Sequence, residues 1–247
     1  EYTDWQALPI MDRLGQMFLQ LLVGPSLVLL PGVIGWLVKS IRQKMWGSLA
    51  AMIWCAGYFW LYISRLPLYQ HGRYIMPAMP IFFLFGLLAF AEFDKGKMFA
   101  RYQWVVQTVW RASVVMLVLG FIFLGARSYA NDVAVIESEM VATAKWVAGN
   151  LPSDVLIAAH DIGALGYFDS HELIDLAGLI SPDVIPVMRD EEQLANYLDQ
   201  HGADYLIAFP EFYPILTGGA EIIFTTNSAI TLTFGQKNMV VYRWKTP

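Results

Sequence analysis

The sequence predicts a membrane α-helical bundle of four transmembrane helices followed by a small extracytoplasmic α/β domain. Three observations predict it. Residues 14–38, 45–64 and 74–91 carry no charged side chain, and residues 112–126 are charge-free between Arg111 and Arg127. Charge is divided along the chain: residues 1–129 hold 11 Lys/Arg and 5 Asp/Glu, whereas residues 130–247 hold 5 and 16, so a net of +6 is followed by a net of −11. Short apolar runs alternate with helical patterns only in the acidic part. The composition, 57% hydrophobic and 15% charged, excludes a disordered chain, a nucleic-acid binder and a simple soluble enzyme. A single cysteine, Cys55, excludes an internal disulfide framework and a cysteine-built zinc site. The first residue is Glu, and the chain is expected to be a fragment or a processed product.

Within a bundle segment over residues 1–129, spans are expected at about 15–38, 46–64, 74–91 and 106–127. A spanning helix needs about 20 apolar residues to cross a core about 30 Å thick. The fourth reaches that length when Arg111 and Arg127 snorkel to the two interfaces. Gly24-Pro25 and Pro31-Gly32 interrupt the first span and predict a bend, because proline removes a backbone donor. Trp36, Trp46, Tyr58, Trp60, Tyr62, Tyr74, Trp104 and Trp110 lie near span ends or within spans. They read as an interfacial belt in part and as packing bulk for the rest. Lys39, Arg42 and Lys44, with Lys95, Lys97, Arg101 and Arg111, outnumber Arg13, Arg65, Arg73 and Arg127 on the other side. That bias places residues 39–45 and 92–111 in the cytoplasm, and the loop 65–74 and the acidic domain outside.

In the second domain, residues 130–247, the spacing of Val133, Ile136, Met140, Ala144 and Val147 predicts a helix over 132–149. Val155–Ala159, Glu172–Leu176 and Tyr205–Phe209 read as strands. Asp190 reads as the N-cap of a helix that carries Leu194, Tyr197 and Leu198 inward and stops at Gly202. Glu221–Thr225, Ile230–Phe234 and Met239–Trp244 read as strands of a terminal meander, giving a small α/β sandwich.

Three stretches could carry chemistry. Arg65 to Pro80 places Arg65, His71, Arg73 and Tyr74 at the outer mouth of the second and third spans. Guanidinium forks there suit a lipid phosphate or pyrophosphate, and equally a plain headgroup anchor. His160-Asp161 at a strand end could be an acid–base pair or a metal corner, or simple turn chemistry with its glycines serving the backbone. Asp175 could face a ligand, while Ser181-Pro182-Asp183 starts a turn or helix. His171 and His201 lack metal-ligand spacing, and no G-x-S-x-G, H-E-x-x-H or P-loop occurs.

The run His71-Gly72-Arg73-Tyr74-Ile75-Met76-Pro77-Ala78-Met79-Pro80 resembles a motif of polytopic bacterial membrane glycosyltransferases of the C-type (GT-C) superfamily. These are the protein mannosyltransferase and aminoarabinose transferase-like proteins. His160 to Val184 resembles the exported domain that follows the last span in many of them. The resemblance implies the carboxy-terminal part of such an enzyme in the bacterial inner membrane. It would transfer a sugar from a polyprenyl-phosphate donor to a glycan, lipid or protein acceptor on the outer face, among membrane lipids and without nucleic acid. It implies Arg73 as a donor-phosphate contact, with His71, Tyr74 and Arg65 as further contacts. It also implies a catalytic acidic residue upstream of this chain and, in the full-length protein, often a divalent metal; Asp4 and Asp12 do not match that acid. The competing expectation is a non-enzymatic, membrane-anchored module that binds glycan or scaffolds an envelope complex.

Overall fold

The computed structural model describes residues 7–65, 70–93 and 103–244. The chain divides into two compact units, Glu1–Ser128 and Tyr129–Pro247. The first is helical and contributes apolar segments over Pro25–Arg42, Trp46–Arg65 and Gly72–Ala89, and a fourth runs over Gln107–Asn150. Each is long and apolar enough to cross a membrane.

Helix α1 (Ile10–Phe18) stops where a single first span over 15–38 is expected. Turns through Gly24 lead into a 3-10 segment, Pro25–Leu29, and only then into α2 (Leu30–Arg42). The interruption is therefore a full break rather than a bend. A Cβ on Gly24 would lie 2.6 Å from the Phe18 carbonyl oxygen, so the tight reversal needs glycine there. Pro25 opens the 3-10 segment and Pro31 lies in the first turn of α2, positions where a missing N–H leaves no bond unmade. Helix α3 (Trp46–Arg65) comes next.

The third expected span is also shorter as an α-helix. Gln70–Ile75 forms a 3-10 segment and α4 covers Met79–Phe93, so residues 74–78 are not α-helical. Pro77 cannot donate to a helix ladder and Pro80 fits in the first turn of α4.

Helices α2 and α4 pack at a glycine crossing. A Cβ on Gly32 would meet the Gly86 carbonyl oxygen at 2.5 Å, and one on Gly86 would meet Leu29 Cβ at 2.8 Å. Such close backbone approach is how apolar helices associate without a hydrophobic drive between them. Trp36 stacks on Phe85 with ring centroids 6.1 Å apart, and Phe83 meets Phe121 edge-on at 6.2 Å.

Helix α5 (Gln103–Ile136) contains the whole of the fourth expected span and does not end near 127. It continues through a π-helical turn, Glu137–Val141, into α6 (Ala142–Asn150). No Gly or Pro lies between Ala126 and Ala148, so nothing in the sequence breaks it. Of the stripe expected over 132–149, Ala144 and Val147 are fully buried, whereas Val133 and Ile136 are exposed.

The second unit is a three-layer α/β/α sandwich around a five-stranded sheet of order β2-β1-β3-β5-β4. The strands are β1 (Leu156–Ala159), β2 (Glu172–Asp175), β3 (Tyr205–Ala208), β4 (Glu221–Thr225) and β5 (Val240–Arg243). β1 pairs in parallel with β2 and β3, and β5 runs antiparallel to β3 and β4. Alternation puts Ile157, Ala159 and Ile207 on one face with Ala144, Val147 and Leu165. Ala158, Leu206 and Ala208 face the other way, against Leu194 and Leu198. Helix α7 (Ile162–Phe168) therefore covers one face, beside α6, and α8 (Glu191–His201) the other. The chain leaves β1 to one side and returns across it to β3, and right-handed crossovers in opposite directions demand helices on opposite faces.

The α8 caps match the sequence. Asp190 accepts from the Glu192 and Gln193 N–H groups, which holds its carboxyl below its ordinary range, and Gly202 takes a left-handed φ of 75°. The terminal meander does not form. Residues expected as the strand Ile230–Phe234 lie in a short helix, α9 (Ala229–Thr233), between β4 and β5. The Thr231 side chain, which a solvent-facing strand would expose, is fully buried.

Candidate functional site

The sequence-derived site lies in the helical unit. Arg65 is the exposed last residue of α3, and Arg73 is exposed in the 3-10 segment before α4. Arg73 Nη2 donates to the Tyr74 hydroxyl at 3.0 Å, and its guanidinium carbon lies 4.9 Å from the Tyr74 ring centroid. The tyrosine thus orients the fork while leaving most of its N–H groups outward. The His71 side chain, residues 66–69 of the motif, Asp4, Lys95, Lys97 and Arg101 lie outside the described residues.

Tyr74 packs against the cluster of Met17, Val23, Tyr62, Ile63, Ile75 and Met79, which ties the broken first segment, the end of α3 and the start of α4 together. Two polar groups that sequence reasoning did not select as site residues lie in that corner. The Tyr62 hydroxyl is buried in a fully buried side chain, and Gln20 Oε1 is also buried. Neither has a hydrogen-bond partner of good geometry among the described residues. Gly72 has φ +81°, and a Cβ there would stand 2.3 Å from Gln20 Oε1. Only glycine lets the Arg73 backbone approach the carboxamide so closely. The Tyr62 hydroxyl and the Gln20 carboxamide interact with each other, so this corner is a polar pair set inside an apolar cluster. The signal in the sequence was a glutamine four residues before Gly24-Pro25. Arg13 joins the same end: its Nη1 donates to the Ser64 carbonyl at 3.0 Å, beside Arg65, and its Nε to the Leu8 carbonyl at 2.8 Å. A guanidinium on the last carbonyls of α3 complements that helix terminus.

In the second unit the other candidates separate. Asp175 is fully buried and accepts from the backbone N–H groups of Ala177 at 2.8 Å, Leu179 at 2.5 Å and Ile180 at 3.0 Å. Its own N–H donates to Ser181 Oγ at 3.0 Å. This carboxylate closes the loop into the 3-10 turn Pro182–Val184. His171 is engaged with Asp169 at 2.7 Å and the Pro152 carbonyl at 2.6 Å, and His201 with the Tyr197 carbonyl at 2.8 Å. Among the described residues no group of three or more His, Cys, Asp or Glu side chains could hold a metal ion. The divalent metal that the resemblance implies finds no ligand set in them.

The His160-Asp161 pair is more than a turn. His160 Nδ1 shares a hydrogen bond of 2.7 Å with the Tyr213 hydroxyl, and its ring lies 5.5 Å from that of Phe212. Asp161 holds the position before α7 but makes no capping bond. Burial raises its carboxyl above the ordinary range; neighbouring His160 opposes that and Asp175 adds to it.

Glu139 was not singled out by sequence reasoning. It is fully buried in the π-helical turn and accepts from the Thr226 and Thr231 hydroxyls, from Asn238 Nδ2 at 2.8 Å and from the Met239 N–H at 2.8 Å. The extra residue of a π turn rotates this carboxylate into the β4–α9–β5 segment.

A family model described as a domain of unknown function (DUF8728) matches residues 126–242, just under half of the chain. No curated protein and no solved structure matches it.

Proposed function

We propose that this chain is the carboxy-terminal part of an integral-membrane glycosyltransferase that uses a polyprenyl-phosphate-linked sugar, with its helical unit in the bacterial inner membrane and its α/β unit outside. The observation that carries the reading is Arg73. It is an exposed guanidinium oriented by Tyr74 at a helix break, beside the buried polar pair Tyr62 and Gln20. Broken backbone among apolar helices is tolerated where it lines a site. The resemblance of His71–Pro80 to the GT-C motif supplies the substrate class.

In this reaction an acceptor hydroxyl or amine attacks the anomeric carbon, the bond from that carbon to the phosphate oxygen breaks, and the phosphate leaves with the electron pair. Arg73 stabilises the charge that develops on the leaving phosphate, and Arg65 strengthens the local positive potential. The base that takes the acceptor proton belongs to the part of the protein upstream of this chain. The described acid in the helical unit, Asp12, is exposed in the first turn of α1. The test is transfer of radiolabelled sugar from polyprenyl-phosphate donors by the full-length protein in membranes. Arg73→Ala is expected to lose about 10²-fold in rate at normal expression. Unchanged transfer would reduce Arg73 to a headgroup anchor. No transfer by the unaltered protein across several donors would favour a membrane-anchored binding module.

A further inference from the structure

We propose that the carboxyl edge of the parallel strands in the α/β unit is a saccharide-binding site, formed by His160, Asp161, Phe212 and Tyr213. In open α/β sheets ligands bind outside the carboxyl ends of the strands, where the chain departs to opposite sides. Here that point lies between β1 and β3, because β1 leads into α7 on one face and β2 returns through α8 on the other. His160 and Asp161 leave β1 at this point. Phe209, Phe212 and Tyr213 leave β3 there, with Phe209 and Phe212 in edge-on contact at 5.6 Å. The 2.7 Å bond between His160 Nδ1 and Tyr213 fixes both rings and joins the two departing loops.

The chemistry narrows the ligand. The carboxylates around Tyr213 are Asp161, Asp175 and Glu191. Asp175 is committed to its loop, and Glu191 accepts from the Ile215 and Leu216 N–H groups at 2.7 and 2.9 Å. Asp161 remains, half-buried, with no hydrogen bond among the described residues. The charged neighbours that act on it are His160 and Asp175. An edge of this kind repels phosphate and accepts hydrogen bonds from hydroxyl or amine groups. Phe212 is 52% exposed, and its ring lies 5.5 Å from that of His160, the residue that precedes this uncommitted acceptor. A sugar ring matches both demands, with a C–H face for the aromatic plate and hydroxyl donors for the carboxylate. Calling that sugar the transfer acceptor rests on the proposed function; binding itself does not.

The test is calorimetric titration of the whole chain in lipid nanodiscs with three neutral trisaccharides, maltotriose, cellotriose and triacetylchitotriose, and with glucose 1-phosphate. At least one trisaccharide is expected to bind at about millimolar Kd or tighter. Phe212→Ala and Asp161→Asn are each expected to weaken it about tenfold, with unchanged far-UV circular dichroism. Glucose 1-phosphate is expected to bind more weakly than the trisaccharide or not at all. The proposal is overturned if no trisaccharide binds at about 10 mM, if both variants bind as the unaltered chain does, or if glucose 1-phosphate binds best and loses affinity in the same variants. Because the readout is binding, a negative sugar-transfer assay leaves this result standing, and the reverse also holds.

Discussion

The two units treat apolar surface differently. In the helical unit α2 and α4 cross at two glycines, Gly32 and Gly86, while Ile53, Trp60, Met116 and Phe123 are 61–72% exposed. In the α/β unit Leu194, Leu198 and Leu206 are fully buried, and the two carboxylates that go inside, Glu139 and Asp175, arrive with their hydrogen bonds already satisfied. The α/β unit is organised by removing apolar surface from water. The helical unit leaves that surface outward and holds together by close backbone approach, which is the arrangement expected where the surroundings are themselves apolar. Polar atoms differ in the same sense. The α/β unit saturates its buried carboxylates, whereas the helical unit buries a neutral polar pair, Tyr62 and Gln20, without a bond of good geometry beside its exposed arginine.

The sharpest way to break the comparison is Glu139→Ala. It removes the shared acceptor of four donors, of which Asn238 Nδ2 keeps the Ser228 carbonyl, at about 3 kcal/mol, and urea titration followed by far-UV circular dichroism should show the α/β unit unfolding at much lower denaturant. If the midpoint hardly moves, the carboxylate is not what pins the β4–α9–β5 segment to the π turn. Next in size is Gly32→Val. Its Cβ meets backbone at 2.5 Å and cannot be relieved by a rotamer change, so a loss of about 1–3 kcal/mol is expected in detergent thermal melts. Gly35 lies one turn on in the same helix with open space around it, and Gly35→Ala should be neutral or slightly stabilising. Equal effects at the two glycines would show that the close crossing does not hold α2 against α4.

The orientation sharpens the comparison further. Cys55 is buried and is the single cysteine, so a Cys55→Ala background accepts a reporter cysteine at exposed Ser170. On the proposed topology a membrane-impermeant maleimide labels that site in intact spheroplasts without permeabilisation. Labelling only after permeabilisation would put the α/β unit in the cytoplasm and turn the helical unit over with it.

Patterns that act over a few residues were readable in the sequence. The charge-free runs, the Asp190 cap with its Gly202 stop, and the strands β1, β2, β3, β4 and β5 come from spacing and capping chemistry. Two misses have separate causes. The strand expected at Ile230–Phe234 became helix α9 because Thr231 is drawn to Glu139, a partner 92 positions away. The break expected near 127–132 did not occur because two differently solvated patterns, one apolar throughout and one amphipathic, can share a continuous helix. The candidate site divides likewise. Arg65, Arg73 and Tyr74 stood out by type and position, but Gln20 and Tyr62 become relevant only when the chain folds Gly72 against Gln20. Asp175 resembled a ligand-facing carboxylate because a strand-end Asp looks the same in sequence whether it binds a ligand or its own loop.

The smallest expected effect separates a carboxylate kept for a ligand from one kept for the fold. Asp161 is half-buried and its carboxyl is pushed upward, chiefly by desolvation. The folded chain therefore binds that proton more tightly than the unfolded chain does. Between the ordinary carboxylate pKa and the raised folded value the native state holds more protons, so this group's contribution to stability falls as pH rises through that window. Asp161→Asn removes the penalty. The variant should be slightly more stable than the unaltered chain at neutral pH, with the gap closing as pH falls below the ordinary carboxylate range, in parallel urea titrations at several pH values. Asp175→Asn is the control. A carboxylate that accepts three backbone N–H groups supports the fold, and its replacement should destabilise at neutral pH. If both substitutions destabilise alike, Asp161 serves the fold as Asp175 does, and the case for an acceptor kept free at the sheet edge weakens with it.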